Sequence, residues 1–308
     1  MPTPMISEQW PRFVLPIIRK EWMQSMNAVV SPLMSIMGVE SSNSSVEYSQ
    51  GIGTFGLVPE YNSATAEGDG AAIQYDSFNP LYEATFTHKE YAKGIAVERK
   101  LWDDNRTGQI KRLAQSLGHT FGTTRAYHAS SILNNAFATV TGFDSVYLCS
   151  ASHPTNKNDS TAISNLGTSA LSYASVVATL LAGANLDDDR GYPMPSIYDI
   201  LYVPTALEAT AYEIINAIQK PGAADYNGNF VGSKGLKVVV DPYLSDANNW
   251  FMIDSNQAKM HCLWFNRVNP EIALDPASDF NLAAKYRGYM RHSFGWDDFR
   301  WLYGHSVT

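Results

Sequence analysis

Ser150, Ser152 and His153 put two hydroxyl nucleophiles beside an imidazole able to take a proton, the raw material of acyl transfer. No G-x-S-x-G elbow presents either serine at the end of a strand, and His153 before Pro154 reads as a turn histidine. Gly51-Ile52-Gly53-Thr54-Phe55-Gly56 satisfies the G-x-G-x-x-G pattern of dinucleotide loops. A polar Ser/Asn run precedes it and Pro59 follows it, where that chemistry needs a feeding strand and a helix N-terminus, so it reads as a hairpin base. Asn185, Asp187 and Asp189 have the one-three-five spacing of a calcium loop. Arg190 occupies the sharp-turn glycine's place and Ser196 the bidentate glutamate's, which leaves a solvated acidic turn. In Gly228-Asn229-Phe230-Val231-Gly232-Ser233-Lys234 the glycine spacing is one residue short for a phosphate loop and Lys follows Ser, so a surface loop is expected.

Asp103-Asp104 and Asp297-Asp298 are adjacent pairs whose side chains diverge on a helix or strand, so they read as caps or arginine partners. The seven histidines show no H-x-x-x-H spacing, and Cys149 and Cys262, far apart, define no zinc motif and no disulfide framework. A reducing compartment fits. No catalytic, cofactor-binding or metal-ligating residue is assigned, and no cofactor is expected.

The elements that would have to position such groups look built for assembly. The 308 residues are 45% hydrophobic, enough for a buried core in one large domain or two modest ones, and the net charge of -8 lacks the basic excess of a chain that grips phosphates. Sequence-specific nucleic-acid binding is not expected. Residues 13–26 and 29–37 are amphipathic pieces of an apolar arm that could pack on its own body or on a neighbour. Pro11 and Pro16 break its apolar patch, which is neither a signal peptide nor a membrane span. Residues 55–61 and 73–76 read as strands of a long hairpin around the small-residue run 62–72, with Pro59 at an edge. An extended run from Thr85 to Val97 breaks at Asp103-Asp104-Asn105 into a long helix, about 108–137. Asp103, Asp104, Asn105 and Thr107 supply its capping chemistry, and Ile110, Leu113, Leu117, Phe121, Ile132, Leu133 and Phe137 its apolar stripe. At about 1.5 Å per residue that helix spans roughly 45 Å, and Gly118 and Gly122 are places for a kink.

Further on, a helix over 171–185, a strand over 200–203, a helix over 206–219 and a strand over 236–240 indicate an α+β or α/β unit. The runs 250–253 and 262–265 read as two strands of a hairpin, and residues 280–303 form an aromatic, arginine-rich tail.

Thr85-Phe86-Thr87-His88-Lys89, Leu133-Asn134-Asn135-Ala136-Phe137, Ser152-His153-Pro154, Pro221-Gly222 with Asp225 and Asn227, Val238-Val239-Val240-Asp241-Pro242-Tyr243-Leu244 and Trp250-Phe251 follow one another in an order that resembles the major head subunits of tailed bacteriophages, in the Mu-like branch. The resemblance implies an α+β, Hong-Kong-ninety-seven-type capsid fold. It implies an N-terminal arm over 1–50 that reaches an adjacent copy and an extension-loop hairpin over 51–84. A peripheral domain over 85–167 carries a spine helix at about 106–137, an axial domain covers 168–268, and 269–308 return to the peripheral domain.

The implied function is non-enzymatic: hexamers and pentamers of an icosahedral shell around double-stranded DNA held non-specifically. The implied partners are other copies, scaffolding, portal and decoration proteins, and no membrane. The implied location is the virion, after assembly in host cytoplasm. Residues 51–75 hold no lysine, so no covalent cross-link through the extension loop is expected. Two alternatives remain, an encapsulin-type nanocompartment shell and a hydrolase built on Ser150 and His153.

Overall fold

The computed structural model describes residues 10–52, 55–58, 75, 80–140, 142–156, 159–219, 221, 228–275 and 282–307. Its architecture is two sheets joined by one long helix. The first half of the chain supplies α1 (Trp10–Asn27), a 3-10 turn at Leu33–Ser35, β1 (Gly38–Ser41), β2 (Val46–Ile52), β3 (Pro80–Thr87), β4 (Lys89–Glu98), α2 (Arg99–Asp103) and α3 (Thr107–Asn134). A small ribbon, β5 (His153–Asn156) with β6 (Asp159–Ile163), follows. Then come β7 (Leu166–Gly167), α4 (Tyr173–Ala184), β8 (Ile200–Pro204), α5 (Glu208–Asn216), α6 (Phe230–Ser233) and β9 (Lys237–Asp241). The chain ends with β10 (Trp250–Ile253), α7 (Ser255–His261), β11 (Cys262–Leu274), β12 (Ala283–Trp296) and β13 (Leu302–His305).

One sheet has the order β1-β11-β12-β4, antiparallel except for β1 against β11; the other has the order β7-β13-β10-β8-β9. β2 and β3 pair as a separate antiparallel ribbon, Val46 opposite Thr87 and Ile52 opposite Pro80.

Three apolar clusters follow this layout. Val14, Ile18 and Trp22 of α1 and Ile110, Leu117 and Phe121 of α3 cover Ile272, Tyr286 and Met290 of the first sheet. Val176 of α4 and Ala211 and Ile214 of α5 cover Leu201, Val203, Trp250 and Met252 of the second. Between them the C-terminal turns of α3, Ala129, Ile132 and Leu133, share a cluster with Tyr202, Phe251, Trp264 and Trp301, taken from both sheets. α3 is therefore the beam that ties the two sheets together.

Several expectations change. The runs 250–253 and 262–265 form no hairpin. Asp254 caps α7 through hydrogen bonds from the Asn256 and Gln257 amides, and that helix carries the chain from the second sheet to the first. The aromatic tail completes the first sheet with β12, but its end crosses back to the second as β13. The run 85–97 divides at His88: β3 pairs with β2, and β4 with β12. The acids expected to cap the long helix end α2 instead; α3 begins at Thr107 behind Arg106, which gives no side-chain cap, and Asn105 takes a positive φ of 55° to make the corner.

Among the described residues the paired arms are Val46–Ile52 and Pro80–Thr87, which flank the runs expected to form the hairpin. Phe55 to Val58 are no strand, and the rest of those runs apart from Tyr75 lies outside the described residues, as do the tip 62–72, Met1 to Pro4, Gly222, Asp225 and Asn227. The apolar arm packs on its own chain: Trp22 sits edge-on to Phe121 at 5.5 Å, and Val14, Ile18 and Trp22 are fully buried. Burial of this kind contributes about 1.5–3 kcal/mol per large side chain. α3 runs uninterrupted through Gly118 and Gly122, which let the backbone of α1 come close.

Candidate assembly surfaces and the joints that hold them

The residues first considered for chemistry do not form a catalytic site. His153 is buried, donates from Nδ1 to Asp144 Oδ2 at 2.6 Å, and stacks on Phe299 with ring centroids 3.8 Å apart. Its Nε2 is buried without a hydrogen-bond partner, and Ser150 Oγ lies 3.4 Å from Ser152 Oγ, so no serine is aimed at the imidazole. His153 thus opens β5 as a core group and is not a turn histidine.

In the acidic turn of Asn185, Asp187 and Asp189, the intervening Asp188 accepts from the amides of Arg190 and Tyr192 at 2.8 Å. The glycine-rich segment forms α6, capped by Asn229. Gly51 and Ile52 end β2, a strand where a phosphate loop would need a turn. Asp103 pairs with Arg99, Asp298 with Arg300, and Asp297 with His261. Cys149 and Cys262 are buried free thiols, and burial pushes both well above the ordinary thiol pKa. Among the described residues no group of acids, histidines and cysteines is arranged for a metal, and no helix is long and apolar enough to cross a membrane.

What the structure builds with care are joints. At the end of α3, Ser130 Oγ donates to Asp241 Oδ2 at 2.5 Å, Tyr202 OH donates to the same oxygen at 2.6 Å, and the Tyr243 amide donates to Oδ1 at 2.8 Å. One turn on, Asn134 donates to the Tyr243 carbonyl and accepts from the Ser245 amide. Two of the segments that carried the resemblance, 133–137 and 238–244, thus meet, and they lock the second sheet to the long helix. Asn165 does the same for the tail, donating to the Leu148 and Leu302 carbonyls and accepting from the Ser150 amide.

The hairpin is rooted at two points. Ser49 Oγ donates to Asp297 Oδ2 at 2.5 Å, and Asp297 holds His261 at 2.9 Å. Burial alone would lower the pKa of His261; the hydrogen bond it donates to Asp297 and the charges of Asp298 and Asp297 outweigh burial and raise it. At the second root His88 bridges Ser42 and Ser293, each at 2.9 Å. Because Ser42 gives its proton to Glu47, His88 donates from Nε2 and accepts at Nδ1, the neutral tautomer.

Beside it, His292 is sandwiched between Tyr91 and Trp264 at 4.7 and 4.4 Å and shares a hydrogen bond of 3.1 Å with His128. Burial first, then His128, Arg125 and His88, push His292 down to about 3; burial, then Lys89, lowers His128. Sequence inspection missed this cluster, since Tyr91, His128 and His292 come from separate elements and nothing local relates them. The Gly118/Gly122 pair did leave a signal, small residues one helical turn apart.

A histidine whose folded pKa is depressed contributes stability above its unfolded value of about 6.5, and that contribution is lost as pH falls toward the folded value. For His292 the window runs from about 6.5 down to about 3. Each pH unit inside it costs about 1.4 kcal/mol. Denaturation midpoints should therefore fall more steeply between pH 6.5 and 4.5 in the natural chain than in His292→Asn, by about 2 kcal/mol. Parallel pH profiles would discount the cluster.

Among the described residues, Phe55, Leu57 and Val58 beyond β2 are exposed, as are Leu181 on α4, Ile197 before β8, Ile218 after α5 and Met260 on α7. β4, β1, β9 and β7 are open sheet edges. Exposed apolar groups and free edges on one chain mark places where other chains are meant to sit.

A sequence profile for the family described as phage capsid protein matches residues 82–304. No curated protein matches the chain. Among solved structures the fold is shared with a chain of Mycobacterium phage Patience (TM-score 0.57, 11% identity, covering 100% of this chain and 90% of that one). It is shared also with the procapsid of bacteriophage JBD30 (TM-score 0.55, 14% identity, 98% and 76%). A virus-like particle from Pyrococcus furiosus is similar as well (TM-score 0.53, 9% identity, 94% and 97%). At these identities the likeness is one of fold.

Proposed function

The chain belongs to the phage capsid protein family, and from that premise we propose that it acts as the major head subunit whose hexamers and pentamers close into an icosahedral shell around double-stranded DNA. The observation that carries this reading is the match over residues 82–304 together with a two-sheet body spanned by one continuous helix. The first sheet with α1 and α3 would be the peripheral domain and the second sheet with α4 and α5 the axial domain. The ribbon of β2 and β3 would be the root of the extension loop. On the family match the role would be structural.

Self-association follows from the exposed apolar groups and open edges. Scaffolding, portal and decoration proteins would be added partners, and the mature chain would reside in the virion after assembly in the host cytoplasm. Sedimentation of the purified chain tests the first step. Species with the mass of six 34.0 kDa subunits, or larger closed particles, are expected, and a monomer across the whole concentration range would defeat the reading. Particles of this chain carrying a protein cargo and no DNA would move it to the nanocompartment class.

With no lysine between Gly51 and Tyr75, the subunits are expected to separate completely in boiled SDS. A ladder of covalent multimers on the gel would refute that expectation.

A further inference from the structure

Charge is distributed very unevenly. The whole chain has 22 Lys and Arg against 30 Asp and Glu. Yet α3 contains no acidic residue, and α1 contains only Glu21. Against that single acid the two helices set Arg12, Arg19, Lys20, Lys111, Arg112 and Arg125. All but Arg125 are exposed, and among the described residues none of these five exposed cations is held in a salt bridge; Arg125 lies over the Trp264 ring at 5.6 Å.

The helices lie side by side and run the same way. Trp10 stacks on Trp102 just ahead of α3, and further along the Trp22 and Met26 backbones pass the sites of Gly118 and Gly122. Both helices have their inner side filled by the first sheet. Their groove is closed by Gln115, whose side chain meets Glu21 at 2.7 Å and whose carbonyl takes the Ser25 hydroxyl at 2.7 Å. Lys111 lies one turn before Gln115 on the same side of α3, and Lys20 lies next to Glu21. The outer surface of the pair is therefore a basic strip on a chain whose net charge is -8. At about 1.5 Å per residue α3 runs roughly 42 Å, slightly more than one turn of duplex DNA.

We infer that the outer surface of the α1 and α3 pair is the wall that faces duplex DNA, meeting its phosphate backbone weakly and without regard to sequence. The inference rests on the head-subunit reading. Long exposed cationic side chains suit phosphates, since phosphate contacts position a surface and carry no sequence information.

The test uses the full chain as purified capsomers. A Lys111→Glu, Arg112→Glu double variant is compared with Lys234→Glu, Lys237→Glu, an equal charge change at exposed positions near the second sheet. Binding of a short mixed-sequence duplex is followed by fluorescence anisotropy from low to moderate salt. The natural chain should weaken with salt, and the strip variant should bind at least tenfold more weakly at low salt, its log–log slope shallower by about 1–2. The control variant should match the natural chain. Equal loss in both variants, or in neither, overturns the inference, as does tighter binding of polyglutamate than of duplex at equal salt, which would reassign the strip to an acidic protein.

Sidedness is read separately in Lys111→Cys shells treated with a bulky polyethylene-glycol maleimide. Labelling should wait for dissociation, and labelling of intact shells contradicts an inward-facing strip. If micrographs of the same preparation show no shells, the head-subunit reading fails, and the slope comparison still decides whether the strip binds DNA.

Discussion

Asp241→Ala should cost about 3–5 kcal/mol, the largest loss expected of any single polar substitution in this chain. The carboxylate is fully buried and takes three donors, one from α3, one from β8 and one from its own loop. Truncation strands the Ser130 and Tyr202 hydroxyls in a site that water does not reach, and each unmade buried hydrogen bond costs about 1–3 kcal/mol. Burial, then the neighbouring Asp241 charge, lifts the Tyr202 phenol well above its ordinary pKa, so it stays a donor at every working pH.

Tyr202→Phe removes only one donor from a carboxylate that keeps two, and should lose about 1 kcal/mol. Urea midpoints of the two variants separate the outcomes. If Asp241→Ala falls no further than Tyr202→Phe, the joint between the long helix and the second sheet is not where the account places it. The defect should also reach assembly, because a subunit whose two sheets swing freely cannot present fixed edges to its neighbours.

Gly118→Val should detach α1 and cost about 3 kcal/mol or more. A Cβ at Gly118 would stand 2.2 Å from the Trp22 carbonyl oxygen, and at Gly122 it would stand 2.7 Å from that of Met26. Both obstacles are backbone, so no rotamer change relieves them; α1 must move outward, exposing part of Val14, Ile18 and Trp22. Gly108 is the internal control, in the first turn of the same helix with nothing within 4 Å of its Cβ position. Gly108→Ala should be neutral or stabilising by up to about 1 kcal/mol, since alanine suits a helix better than glycine. Loss of the natural chain's Trp22 fluorescence environment in Gly118→Val but not in Gly108→Ala would locate the defect. Equal stability of the two variants would mean that the helices do not meet at Gly118.

How much of this was legible in the sequence depends on how local the cause is. The long helix could be read because its apolar residues repeat with the helical period, and β8 and β9 because they are short β-branched runs. The resemblance linked segments 133–137 and 238–244 by order alone; their contact through Asn134 and Asp241 is a tertiary fact. The misread hairpin had a local remedy, since Asp254-Ser255-Asn256-Gln257 is a helix start standing between the two apolar runs. Asp103 to Asn105 misled for the opposite reason: capping chemistry serves the end of one helix as readily as the start of the next, and only the corner at Asn105 decides.

The histidine cluster was illegible because His88, His128 and His292 each look ordinary in their own segment. Ser150 and His153 were legible as neighbours but not as strangers, since what places His153 is Asp144 and Phe299.

The central claim is that copies of this chain build a shell. Negative-stain electron microscopy of the full chain, expressed alone and passed through a sizing column, tests it most directly. Rings of six or closed particles of uniform diameter are expected in the high-mass fractions. A monodisperse monomer that stays so at high concentration and under crowding, with no ring or shell in any field, would contradict it.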